Sequence, residues 1–460
     1  LKVYDILKEE SSGFSKQSVD LEHNVYRIIA AQREKGFFFD AKAATLLNAE
    51  LQEKMRAAEI EVHKVFKPKV SEVKLYAQFT KTGALAKTAK TIDDVGVRLT
   101  EEEYKDLATK VAASDARPIS RYMVAEFNLG SRQQIGEYLQ DFGWKPTKFT
   151  PHGRPQVDEP ILLGIKGIPE AELIAEYILL QKRVAMISGD RGWLHHVRDD
   201  GRVHGGVRSN GTITGRMTHQ APNMAQVPNL GSLYGKECRE CWTAPTGYKL
   251  VGVDASQLEL RMLAHYMKDK EYINEIVNGD IHSANQRIAG LESRNQAKTF
   301  IYALLYGAGD RKLGSVVGGS ASSGKALRRH FFDNLPAFRT LRDKVTRAAG
   351  RGFLKGLDGR KIFVRSEHAA LNTLLQSAGA LVMKQALVLY DQGLSCGGVN
   401  LDAGFVANVH DEWQLEVHES CAKEVGELGV DCIRRAGEVF ELVCPLDGEY
   451  KIGGNWSETH

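Results

Sequence analysis

At 460 residues the chain is too long for one small hydrophobic core, and two or three subdomains are expected. With 43% hydrophobic and 26% charged residues, a mean hydropathy of -0.31 and no apolar run of the ~18 residues a spanning helix needs, a disordered chain and a helical membrane protein are excluded, and no membrane partner is expected. A net charge of +3 leans only weakly towards a polyanionic partner, and six cysteines in so long a chain fit a reducing cytosol better than a disulfide scaffold.

Residues 20–63 read as helices, with an apolar stripe of Leu21, Val25, Ile28 and Ile29 continued by Leu46, Leu47, Leu51 and Met55. Residues 64–90 then gather Lys64, Lys67, Lys69, Lys74, Lys81, Lys87 and Lys90, and an acidic, helical stretch follows from Thr100 to Val111. Helical periodicity resumes from Phe127 to Trp193. Residues 202–254 look rich in strands and turns, 256–350 mostly helical, 352–364 like short strands, 366–394 like one long helix, and 403–417 like a hairpin.

Two carboxylate sites stand out. Leu250, Val251 and Val253 form a buried-strand pattern that runs into Asp254, with a helix expected from about Ser256. A strand end is where metals and substrates are usually held. The second site is Asn408-Val-His-Asp-Glu-Trp413, a hairpin pattern with Asp411 and Glu412 expected at its tip. Two acids brought together from distant strands repel unless a cation lies between them. A pair of Mg²⁺ ions about 3.5–4 Å apart would relieve that repulsion and support in-line phosphoryl transfer. Against this stands the plainer reading of each acid as a turn or helix cap. Ser256 and Glu259 also spell a capping box, Ser-x-x-Glu.

A third segment runs from Arg294 to Gly309. At about 100° per residue, Arg294, Lys298, Tyr302 and Tyr306 stay within about 120° of one face over about 18 Å. Cations suit a triphosphate and rings suit a base. Phe300, Ile301, Leu304 and Leu305 fall to the core side; the plainer alternative is a basic amphipathic helix packing its tyrosines.

In order and spacing these segments resemble the three polymerase motifs of family A DNA polymerases: Asp254 to Arg261, Arg294 to Gly307, and His410 to Glu412. The wording is most similar to the replicative polymerases of T-seven-type phages, through Asp254-Ala-Ser-Gln-Leu-Glu-Leu-Arg261, Gly279-Asp-Ile-His282, Ala297-Lys-Thr-Phe-Ile-Tyr302, Lys355-Gly-Leu-Asp-Gly-Arg-Lys361 and His368 to Ala380. The resemblance implies an α+β right-hand fold, with an antiparallel palm sheet and helical fingers and thumb. The thumb is expected at 20–65 and 127–195, behind a tail at 1–19. The palm is expected at 196–265 and 356–460, and the fingers at 266–355.

It further implies a template-directed DNA polymerase using dNTPs, a primer-template and two Mg²⁺ ions. Asp254 and Asp411 would ligate the metals with the Ala255 carbonyl, and Glu412 would support them. Arg294, Lys298 and His282 would hold the triphosphate, Tyr302 would pack near the incoming sugar, and Tyr306 near the templating base. Glu259 would narrow the pocket against a 2′-hydroxyl. Arg216, Asn372 and Gln376 would touch minor-groove acceptors, which are common to all base pairs, and His410 the primer end. Residues 66–126 would be a thumb insertion acting in processivity, alone or with a thioredoxin-like protein. A single-subunit RNA polymerase and a non-catalytic DNA-binding accessory subunit are the alternative readings.

Three segments invite other interpretations. Gly319 to Ala326 nearly spells a P-loop, but Ala326 stands where a Mg²⁺-binding Ser or Thr is required, and a fingers loop is expected. Cys238 and Cys241 have zinc-like spacing without a second pair, so packing is expected. Asp20 and Glu22 have the look of a proofreading exonuclease, but only 19 residues precede them, so no exonuclease is expected from this segment.

Overall fold

The computed structural model describes residues 2–115, 117–395 and 401–460. They fall into two compact units, one of Leu1–Leu47 with Ala185–His460 and one of Asn48–Val184. Among the described residues no helix is long and apolar enough to cross a membrane.

The larger unit is organised by a four-stranded antiparallel sheet in the order Ala403–Val409, Glu412–His418, Tyr248–Ala255, Gly448–Gly453. Tyr248–Ala255 is therefore a central strand, and its β-branched residues suit that place. Strand alternation sends Val251, Val253 and Ala255 to one face, beside Trp413, Leu415 and Val417 of the neighbouring strand, into the main core. The long helix Ala370–Ser395 and the helix Ala422–Val439 pack together there. The other face carries Leu250, Gly252 and Asp254 beside Glu412, Gln414 and Glu416. A Cβ on Gly252 would come within 2.2 Å of the Thr459 carbonyl, so the last residues of the chain lie directly against this face.

Helices Leu258–Met267, Lys270–Asn278, Ile281–Ala289, Arg294–Leu305, Asp310–Val316, Ala321–Asn334 and Pro336–Ala349 follow the central strand in sequence, as the periodicity predicts. Short strands Phe353–Lys355 and Lys361–Phe363 then lead to the long helix.

The stretch 20–65, expected as one thumb segment, is divided between the two units. Residues 20–47 cluster with the larger unit. The helix Lys16–Lys35 packs against Ala403–Val409 and the long helix, burying Leu21, Val25, Ile28 and Ile29 in the main core. The apolar stripe read from the sequence is real, but its partner is the sheet-bearing unit.

Among the described residues the smaller unit has two cores. Val62, Phe66, Phe127, Ile135, Leu139, Ile174 and Ile178 bind its helices together, with the Phe66 and Phe127 rings 5.0 Å apart edge to face. Most of segment 66–126 forms a second module: an antiparallel sheet in the order Gly96–Arg98, Leu85–Lys90, Lys69–Phe79, Ile119–Ala125. The helix Glu101–Ala112 brings Leu107 into a core with Leu75, Ala89, Leu99 and Ile119. Thr100 and Glu103 close a capping box at its start. The helix was legible in the sequence; the sheet was not, because lysines mask the alternation of Val73, Leu75 and Ala77.

Candidate active site

Asp254 lies one residue from the end of the central strand, in register with Glu412 on one side and Glu449 on the other. Asp411 sits in the turn of the adjacent hairpin, after His410, whose φ of 58° is left-handed. The backbone fixes the two acids together: the Ala255 N–H donates to the Asp411 carbonyl at 3.1 Å. Burial, then the Asp411 charge, then Glu412 and Glu449 push the Asp254 carboxyl up to about 8. Burial also raises Asp411, opposed by a backbone hydrogen bond and then by the Arg216 charge.

This donor set fits a hard divalent cation. Carboxylate oxygens are its preferred ligands, and a nearby positive charge would favour the ionised forms that burial disfavours in both acids. Among the described residues no group of three or more His, Cys, Asp or Glu gathers as a metal cage. Two carboxylates are what Mg²⁺ sites completed by substrate phosphates and water typically use.

Glu412 is not at the hairpin tip but begins the strand, and it is buried. Its Oε1 accepts from Gln414 Nε2 and Trp456 Nε1, each at 2.6 Å, and its Oε2 from His460 Nδ1 at 2.6 Å. Burial works to raise its carboxyl, but these bonds, led by His460, hold it below the ordinary range. Its oxygens are thus committed to holding the end of the chain against the sheet.

The helix after the central strand starts at Leu258, with Gln257 in a left-handed conformation before it. The Ser256–Glu259 capping box therefore does not form. Glu259 instead accepts from Arg216 Nη2 at 3.2 Å and from the Tyr306 hydroxyl at 2.9 Å. Burial and the Glu259 charge push the Tyr306 hydroxyl up to about 12. Tyr302 stacks beside Tyr306 with ring centres 6.4 Å apart, and its hydroxyl is raised by burial, Glu259 and Asp411.

Ser293 caps the helix Arg294–Leu305, which buries Phe300, Ile301, Leu304 and Leu305 as predicted and leaves Arg294 and Lys298 exposed. Arg294 forks onto Asp280 at 2.7 and 3.1 Å. Asp280 also caps the helix Ile281–Ala289 through the His282 N–H. Sequence reasoning missed this acid, although Asp before a helix of basic character is a capping signal. His282 is buried with its Nδ1 unpaired; burial, then Arg294 and Lys298, lower its pKa. Lys298 forms no ion pair among the described residues.

Arg216, His410 and Asp411 line one cleft with Asn408, Leu258 and Lys384. Asn372 and Gln376 are half-exposed one turn apart on the otherwise buried first turns of the long helix, and no hydrogen bond joins them. The His219 imidazole, not singled out from the sequence, donates from Nε2 to the Asn408 carbonyl at 2.6 Å and braces the hairpin behind Asp411.

The family model for DNA polymerase family A matches residues 97–458. The chain belongs to DNA polymerase family A. It is 39% identical to the DNA-directed DNA polymerase of Enterobacteria phage T3 over 505 aligned positions, covering 97% of this chain and 70% of that one. Its identity to the DNA-directed DNA polymerase of Escherichia phage T7 is also 39%, with 97% and 70% covered. Among solved structures, the POL domain of Pol1 from M. smegmatis, in complex with DNA primer-template and dNTP, superposes with a TM-score of 0.75 at 22% identity, covering 95% of this chain and 70% of that one. The fold of this family A polymerase is accordingly the right-hand one.

The other segments have structural explanations. Glu22 lies on the helix Lys16–Lys35 and accepts from Lys384 at 2.6 Å and Arg360 at 2.7 Å. Gly319 to Ala326 is entered from the helix Asp310–Val316, where a P-loop requires a strand. Cys238 and Cys241 are buried, and burial, then Cys238, pushes the Cys241 thiol up to about 12, which disfavours the thiolate a metal needs.

Proposed function

We propose that this chain is a template-directed DNA polymerase that adds dNTPs to a primer 3′-hydroxyl and serves phage genome replication in the cytoplasm of an infected bacterium. The observation that carries the reading is the pairing of Asp254 with Asp411 across the Ala255–Asp411 backbone bond. Asp254, Asp411 and the Ala255 carbonyl would hold two Mg²⁺ ions, which when bound lower the pKa of the attacking hydroxyl and offset charge on the pyrophosphate.

The remaining work falls to side chains. Arg294 exchanges Asp280 for phosphate oxygens, and Lys298 and His282 add donors to the same triphosphate. Tyr302 packs against the sugar, and Tyr306 holds the place of the templating base. Glu259 bars a 2′-hydroxyl. Arg216, Asn372 and Gln376 test pair geometry through minor-groove acceptors, and His410 positions the primer end. The palm corresponds to 196–265 and 356–460, the fingers to 266–355. Segment 66–126 raises processivity by holding DNA, alone or with a thioredoxin-like protein.

Primer extension with Mg²⁺ tests the reading. Asp254→Ala and Asp411→Ala are expected to abolish extension while primer-template binding persists; near-normal extension by either variant would refute the assignment. Comparing dNTP with rNTP incorporation separates it from an RNA polymerase. Deletion of 66–126 should shorten the product made per binding event, with or without thioredoxin, and unchanged lengths at low and moderate salt would remove that role.

A further inference from the structure

We propose that the open face of the sheet in segment 66–126 is a binding surface for single-stranded DNA. The inference rests on the polymerase reading, which supplies such a strand as unreplicated template.

The two faces of this sheet differ in kind. Register and alternation place Val73, Leu75, Ala77 and Ile119 on one face, in or against the core that Leu107 completes. The opposite face carries Val70, Glu72, Lys74 and Tyr76 on Lys69–Phe79, and Ser120, Tyr122 and Val124 on Ile119–Ala125. Lys90 extends it opposite Tyr76, and Arg98 lies opposite Thr88. Tyr122 is 69% exposed, Val124 65%, Val70 64% and Tyr76 36%, so among the described residues of its own unit nothing covers this face. A sheet face left to water is ordinarily polar throughout. Here two tyrosines alternate with cations.

That alternation fits a single strand. Bases stack on exposed rings without regard to sequence, and cations between the rings meet the phosphates. Tyr122 and Tyr76 lie on neighbouring strands, about 14 Å apart along the sheet, with Lys74 between them. Lys74 forms no ion pair among the described residues. Lys90 pairs with Asp94, but Lys90 is half-exposed and Asp94 largely so, and such a pair is exchanged for phosphate at little cost. Glu72 is the one acid among the face positions named and takes a hydrogen bond from Ser120. A closed duplex offers no base faces to the rings, so they favour the single strand.

The test uses the whole chain and a short oligodeoxythymidylate, with binding followed by anisotropy over a salt series. The double variant Tyr76→Ser/Tyr122→Ser alters the largely exposed Tyr122 and the 36% exposed Tyr76 and is expected to weaken oligonucleotide binding by ~10-fold or more, with the unfolding transition of the variant checked beside it. Lys74→Gln/Lys90→Gln should lower the salt dependence by about two phosphate contacts. Photocrosslinking with iodouracil-substituted oligonucleotide should label Tyr76 or Tyr122. All variants should still extend a primer by one nucleotide, which separates failure here from failure of the polymerase reading. Unchanged affinity in the tyrosine variant, crosslinks confined to other segments, or displacement of the oligonucleotide by polyglutamate as readily as by excess oligonucleotide would overturn the proposal; the last would assign the face to an acidic protein.

Discussion

The Tyr306 hydroxyl donates to Oε2 of Glu259 over 2.9 Å, joining the end of the basic helix to the first turn after the central strand. Arg216 holds the other oxygen of the same carboxylate. Removing Glu259 frees both partners and opens the space where a 2′-hydroxyl would sit. Glu259→Ala is expected to raise ribonucleotide incorporation relative to dNTP by at least ~10-fold, whereas Tyr306→Phe, which leaves the carboxylate on Arg216, should change that ratio little. Ratios of kcat/KM for paired dNTP and rNTP substrates check this; an unchanged ratio in Glu259→Ala removes the gate role.

Tyr302 is half-buried, stacked on Tyr306, and its hydroxyl makes no hydrogen bond among the described residues. It is available to take the place of a missing sugar 3′-hydroxyl. Tyr302→Phe should therefore discriminate more strongly against dideoxynucleotides while leaving dNTP use nearly intact. Equal chain termination by both forms would exclude the role.

Glu22 neutralises two cations, Lys384 and Arg360, both buried, with Asp358 completing the cluster. Burial lowers the Lys384 pKa despite Glu22. Glu22→Ala leaves two buried cations on one carboxylate and should cost ~3–5 kcal/mol of unfolding free energy. Adding Lys384→Met to that variant should restore part of the loss. Urea unfolding of the three proteins measures both, and full stability in Glu22→Ala would show the cluster carries none.

In the sheet module, the hydrogen bond from Arg121, ahead of the opposing effect of burial, holds the Glu103 carboxyl at about 2. A depressed carboxyl stabilises the fold above its unfolded pKa and loses that contribution as pH falls through the folded value. Glu103→Gln should thus cost about 1 kcal/mol at neutral pH, discounted for solvent access, with the loss shrinking from about pH 4.5 towards 2. Denaturant titrations of wild type and variant across that range check the sign; a deficit constant with pH would mean that charge is not its source.

Local chemistry made much of this protein legible in advance. Apolar period marks the helix Arg294–Leu305, and β-branched residues before Asp254 mark the central strand, because each pattern acts within a few residues. The family motifs could be read for the same reason: each is a short contiguous run. Tertiary structure alone decided which charges are spent on which partners. Arg294 on Asp280, Glu412 on His460, Glu22 on Lys384 and Glu259 on Tyr306 are meetings of segments separated by between 14 and 362 positions. No periodicity encodes such pairings; they follow from packing, which also set Lys16–Lys35 against the strand Ala403–Val409 and left one face of the sheet in segment 66–126 open to water.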